Sequence, residues 1–308
     1  MVTFAQGRAR LTFPLLFSQS AVSATCAAII ASAFLLGGCS AVFSSYSASA
    51  TIHMADNLSR SFLNCDDPAT VETAAPAYLL MIDSLLIDHP NNESLLLVAV
   101  KLYTSYTTAF VKDTQRAKSL SQKGFDYALR AACNRDVKLC KAREMSFDGY
   151  TQALSQMTKA DLPILYALGA AWANYLEARQ GDWRMIAQVP RVEAIMKRVV
   201  ALNEFYEDGG AHLYLGVFAT LVPPALGGRP EIGKAHFERA LAISGKKNLM
   251  AYVLYARHYA KMLFNRSLHD RLLNEVLSSN PRMDGYILSN MVAQAEARDL
   301  LAAADGYF

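Results

Sequence analysis

Residues 165–172 read Leu165-Tyr166-Ala167-Leu168-Gly169-Ala170-Ala171-Trp172. The large apolar side chains fall three and four residues apart, which puts them on one face of an α-helix. Gly169 sits in that face, where a missing side chain lets a second helix approach closely. The same period runs outward in both directions. Upstream, Leu95/Leu96, Ala99, Leu102/Tyr103, Tyr106 and Ala109/Phe110 form one stripe. Another is Ala75, Tyr78/Leu79, Ile82 and Leu85/Leu86, with Thr73 placed to cap it and Pro76 in its first turn. Asp113 caps a third helix, with Ala117, Leu120, Gly124, Tyr127/Ala128 and Ala131 facing inward.

Downstream, helical stretches are expected at roughly 137–157, 160–179, 190–206, 209–222, 230–244, 248–264, 266–279 and 284–304. Their separators are short: Gln180-Gly181-Asp182, Asp208-Gly209, Gly245-Lys246-Lys247 and Asn280-Pro281. No segment alternates apolar and polar residues for long enough to be a strand. The fold class is all-α, and short connections favour antiparallel neighbours. The pattern Leu165-x2-Leu168-Gly169-x2-Trp172 matches the first helix of a tetratricopeptide repeat (TPR), and Gly233-x3-Phe237-x2-Ala240 matches the second. Leu215-Gly216 repeats the first signal 47 residues after Gly169. The regular period is about 34, so the repeats are degenerate or carry insertions. TPR-like helix pairs forming an α-α superhelix are the expected architecture.

The N-terminus carries an address. Arg8 and Arg10 precede an apolar run, Ala21 to Leu36, and no acidic residue comes before Asp56. That is the layout of a secretory signal peptide. It ends in Leu36-Gly37-Gly38-Cys39, which looks like a bacterial lipobox with Cys39 as the lipidated first residue. The expected organisation is a signal peptide at 1–38, a lipidated N-terminus and tether at 39–59, and a TPR-like helical domain at 60–308. Ser40, not Asp, follows the cysteine, so the expected destination is the periplasmic face of the outer membrane. Two other readings stand beside this one. Leu11 to Leu36 is long enough to span a bilayer, although Pro14 and Ser18-Gln19-Ser20 interrupt it. Ala48-Ser49-Ala50 offers an ordinary cleavage site that would release a soluble periplasmic protein.

The chain has 30 Lys and Arg against 27 Asp and Glu, with no basic run, so it lacks the electrostatic footprint of a nucleic-acid binder. Beyond Cys26 and Cys39 it has Cys65, Cys133 and Cys140. In an oxidising compartment Cys133 and Cys140 either close a short disulfide loop or remain two reduced, half-buried thiols. Their spacing is not that of a zinc site, and His53, His89, His212, His236, His258 and His269 show no ligand spacing, so no metal is expected. Metalloprotease, hydrolase-elbow, phosphate-loop and dinucleotide signatures are absent, and the sequence supports neither an enzyme nor a cofactor. Glu204, Glu207 and Asp208 form an acidic cluster that reads as a solvated helix end.

Two features remain. The loop Pro223-Pro224-Ala225-Leu226-Gly227-Gly228-Arg229-Pro230-Glu231 is the strongest helix break in the chain. Pro223, Pro224, Gly227, Gly228 and Arg229 are its candidate ligand or partner residues; the competing reading is a plain connector. The second feature is an excess of aromatics: Tyr103, Tyr106, Tyr166, Trp172, Tyr175, Tyr214, Phe218, Tyr252, Tyr255 and Tyr259. Most fall on core-facing stripes. Any that escape the core would line the concave face or central channel of the array.

Together these residues resemble a known family. The segments Ala75-Pro76-Ala77-Tyr78-Leu79-Leu80-Met81-Ile82-Asp83 and Leu102-Tyr103-x2-Tyr106-x2-Ala109-Phe110-Val111-x-Asp113-x2-Arg116-Ala117 look like the N-terminal half of the T-component family of tripartite ATP-independent periplasmic (TRAP) transporters. The loop at 223–231, then Ala235-x-Phe237-x2-Ala240, and the ending Leu288-x-Asn290-x2-Ala293-x3-Ala297 with Leu300-Leu301 are similar to its second half. The resemblance implies a periplasmic lipoprotein of packed helix pairs, held to the membrane by its lipid. It also implies that the protein binds the substrate-binding P subunit, helps capture or pass on ligand, and self-assembles into a homo-oligomer. It supplies no ligand residues for this chain. A TPR-like lipoprotein scaffold for envelope assembly is the competing expectation.

Overall fold

The computed structural model describes residues 57–308. The proposed signal peptide, Cys39 and most of the tether lie outside the described residues. Residues 57–63 are helical and bring Phe62 into the core. Twelve α-helices follow: α1 (Pro68–Asp88), α2 (Glu93–Phe110), α3 (Thr114–Arg135), α4 (Phe147–Gln156), α5 (Leu162–Glu177), α6 (Trp183–Ile186), α7 (Val189–Asn203), α8 (Gly210–Ala219), α9 (Pro230–Ile243), α10 (Leu249–Leu254), α11 (Arg266–Ser278) and α12 (Ile287–Ala302). There is no strand among the described residues; the fold is all-α.

Helix starts are written locally. Asn92, Asp113, Ser146 and Asn265 each accept a hydrogen bond from the backbone N–H three residues on, supplying one of the partners that a first turn lacks. Pro163, Pro190 and Pro230 occupy first-turn positions that need no N–H. Three boundaries differ from the sequence expectation. α1 starts at Pro68, capped by Asp67, so Thr73 and Pro76 lie within the helix and Pro76 removes one interior donor. The helix expected over 137–157 is broken: Val137–Lys141 forms a 3₁₀ turn, and α4 begins only at Phe147. The stretch expected over 248–264 starts as α10 and continues as a π-helical turn, Tyr255–Ala260.

Neighbours in sequence pack on one another: α1 on α2, α2 on α3, α3 on α5, α5 on α7, α7 on α8, α8 on α9 and α9 on α10. Three crossings depend on glycine. Gly124 lies against Tyr103, Gly169 against Met196 and Ile195, and Gly216 against the ring of Phe237, where an added Cβ would come within 2.9 Å. Gly233 meets Thr220 and the Gly216 carbonyl at that last crossing. The first core takes in residues from Phe62 to Leu215 and also Leu288 of α12, and centres on Trp172, which is fully buried between Phe125 and Tyr150 and donates Nε1–H to Gln188. The second runs from Phe237 to Ala297. Asn290, also fully buried, accepts from the Leu249 N–H and donates to the Lys247 and Pro281 carbonyls, fastening α12 to the start of α10.

The array closes on itself. α12 touches α1. Arg282 donates to Asp66 at 2.7 Å, and the Gly285 N–H donates to Asn64 at 2.6 Å. The beginning and the end of the described chain are therefore joined, and α8 touches both α5 and the π turn.

Candidate functional site

The candidate site is built from aromatics that escape the core. Of the ten singled out in the sequence, Tyr166, Tyr214 and Phe218 are only half-buried. Tyr166 meets Tyr206 edge-on at 5.7 Å and Tyr214 at 6.1 Å, and Tyr214 continues to Phe218. The Tyr166 hydroxyl fits over Gly210, where a Cβ would lie 2.3 Å from it, so the first residue of α8 must be small. Glu207 and Asp208 both have positive φ, 48° and 50°, and Gly209 follows at 78°. This left-handed turn between α7 and α8 is strained for two non-glycine residues. It sets Asp208 to accept a 2.7 Å hydrogen bond from the Tyr286 hydroxyl.

Glu177, the last residue of α5, stands near this cluster. Its side chain is open to solvent, yet burial is the largest influence on its carboxyl and raises its proton affinity. Arg257 opposes that rise and Glu296 adds to it. Arg257 and Glu296 form an ion pair between the π turn and α12. Burial, with help from Arg257, pushes the neighbouring His258 down to about 4, so its imidazole is neutral at pH 7. Burial pushes Tyr206 up to about 12 and raises Tyr166, Tyr214 and Tyr286 further, which keeps every phenol protonated. These elements together offer phenol hydroxyls and ring faces, one ion pair, a neutral imidazole and a carboxyl of raised proton affinity. Such groups grip a polar solute by hydrogen bonds and stacking. π turns are concentrated at functional positions, and this one carries both Arg257 and His258.

The residues marked in the sequence lie elsewhere. Cys133 and Cys140 are disulfide-bonded, their Cα atoms 4.4 Å apart, where the end of α3 turns into the 3₁₀ segment. In the loop, Gly227 has φ 92°, and a Cβ on Gly228 would lie 1.8 Å from the Val222 carbonyl. Arg229 donates its backbone N–H to Ala219 and its guanidinium to Glu193 at 2.7 Å. Pro223 precedes the short 3₁₀ turn and Pro224 opens it; both are exposed. The acidic cluster is not simply solvated: Glu204 takes a two-pronged bond from Arg239 on α9, and Asp208 serves Tyr286. His212 and His236, 24 residues apart, meet Nδ1 to Nδ1 at 2.8 Å between α8 and α9. Spacing gave no sign of that pair; its only clue was that the helices also share the Gly216–Gly233 crossing. No group of three or more metal-ligating side chains exists among the described residues.

A family model for the TRAP transporter T-component matches residues 64–308. The chain belongs to that family. A Treponema pallidum (strain Nichols) protein, described only as uncharacterized, is 24% identical over 316 residues, covering 92% of this chain and 97% of its own length. T-component membership makes the chain an accessory part of a TRAP transport system, associated with that system's components in the cell envelope. Several residues that carried the resemblance have visible duties in this T-component. Asp83 accepts from the Tyr103 and Tyr127 hydroxyls and from Lys123, joining α1, α2 and α3. Phe237 fills the crossing over Gly216, and Asn290 fastens α12.

Proposed function

We propose that this T-component is a periplasmic lipoprotein, cleaved after residue 38 and anchored through Cys39 at the outer membrane. It binds the substrate-binding P subunit of its TRAP system and holds ligand transiently among α5, α8, the π turn and α12. The observation that supports the reading is the run of half-buried aromatics Tyr166, Tyr214 and Phe218 on α5 and α8, with the Arg257–Glu296 ion pair on the π turn and α12. Family membership supplies the transport context.

The test is co-purification from detergent-solubilised envelopes with each P subunit of the same organism. A complex with one of them is expected, and failure to recover any refutes the reading. Anchoring has a separate readout. Cys39→Ser is expected to abolish lipid labelling and membrane retention while leaving the far-ultraviolet dichroism unchanged; mature-sized protein still in the membrane fraction would refute it.

A further inference from the structure

Arg179 lies in the turn just after α5, two residues beyond Glu177. It lines an open cleft of about 820 Å³ together with Lys118, Asp182, Trp183 and Arg184 among others, and Glu177 is not part of that lining. Arg179 is held rigidly: its guanidinium lies 3.7 Å from the centre of the Tyr175 ring and donates to Ser121 Oγ, Gln122 Oε1 and the Tyr175 and Lys118 carbonyls. Every one of those acceptors is neutral, so the charge is fixed in place but not cancelled. Arg143 approaches the same ring at 5.1 Å and donates to its hydroxyl. Asp182, the carboxylate lining the cleft, is already clamped by Arg184. Burial is the largest influence on the Arg179 guanidinium and disfavours its charge; Tyr175 opposes this, Arg143 adds to it and Asp126 relieves it in part. At the rim, α6 presents Trp183 at 76% exposure and Ile186 at 64%.

We propose that this cleft is the docking surface for the P subunit, receiving a protruding acidic segment of that protein with Trp183 as the apolar anchor. The proposal rests on the P-subunit reading above. Charge complementarity selects the occupant: a fixed, uncancelled guanidinium surrounded by Lys118 and Arg143 calls for carboxylates. Shape selects a protein over a lipid surface. Arg179 is recessed, and a flat bilayer would meet only the rim, whereas a loop or helix end reaches inside. An exposed tryptophan beside such a charge has the composition of an interface hot spot.

The experiment measures affinity of the full-length chain for the organism's P subunits, as wild type, Trp183→Ala, Lys118→Glu and Ile87→Ala. Ile87 is exposed on α1, near the opposite end of α3 from Lys118, and serves as the remote control. Trp183→Ala is expected to weaken binding at least tenfold, mainly through faster dissociation. Lys118→Glu is expected to slow association and flatten its salt dependence. Ile87→Ala should change neither, and all four proteins should melt together. Unchanged affinity in both cleft variants overturns the docking site while leaving P-subunit binding intact. Trp183→Ala that instead abolishes self-association or binding to phosphatidylglycerol vesicles, with P-subunit affinity unchanged, also overturns it. A wild-type chain that binds no P subunit removes the functional reading itself, and the docking site with it.

Discussion

Mild acid should destabilise this protein through its histidines. Burial pushes His236 and His258 each down to about 4, with His212 adding to the effect on His236 and Arg257 to that on His258. His212 is lowered as well. In the unfolded chain each titrates near its ordinary value of 6.5. Between pH 6.5 and 4 the unfolded chain therefore binds more protons than the fold, and stability is lost as pH falls through that window. At pH 5 an unfolded histidine is almost fully protonated and a folded one only about a tenth, a difference of about 2 kcal/mol per residue. Water reaches part of both rings, which reduces the expected total for the two to about 2–3 kcal/mol. Glu177 works the other way, because its raised proton affinity favours the fold as pH drops. Urea unfolding followed by circular dichroism at pH 7.5, 6.5, 5.5 and 5.0 reads the effect as a falling midpoint at constant m. His236→Asn combined with His258→Gln should flatten that dependence, whatever its absolute cost. Parallel pH slopes for wild type and double variant would refute the reasoning.

Three other perturbations probe the packing. Gly216→Val drives a side chain into the buried Phe237 ring and should cost about 1–3 kcal/mol by overpacking, seen as a lowered melting temperature. Trp172→Ala empties the centre of the first core and strands Gln188; a loss of about 3–5 kcal/mol in chemical unfolding is expected. Arg282→Ala cuts the exposed pair with Asp66 and should cost under about 1 kcal/mol globally. Hydrogen exchange should nevertheless quicken together in α1 and α12.

Much of this fold was legible because helices record their own beginnings. Asp113 as a cap and the stripe from Leu95 to Tyr106 need only local chemistry, and both are found as read. Leu168-Gly169 and Gly233-x3-Phe237 were readable for the same reason: a glycine in an apolar face signals a close crossing before its partner is known. Thr73 misled because Asp67-Pro68 is an equally good start six residues earlier, and the helix tolerates Pro76 within it. The π turn left no trace in the residue period, since Tyr252, Tyr255 and Tyr259 are apolar in either register. The candidate site was hidden for a different reason. Glu177, Tyr214, Arg257 and Glu296 come from four separated elements, and only long-range packing gathers them. The sequence did indicate which kinds of residue would be there: aromatics left over once the core was filled.

The contact between Asp66 and Arg282 changes how such a molecule comes apart. An open stack of helices frays from its ends, one pair at a time, because each terminal pair has a neighbour on one side only. Here the terminal pairs are each other's neighbours. Among the described residues no helix pair is peripheral, and opening anywhere along the loop of helices breaks a contact on both sides. The energetic consequence is cooperativity: Leu288 of α12 is buried in the same large cluster as Phe62 and α1, so the two ends of the described chain come apart together with that core.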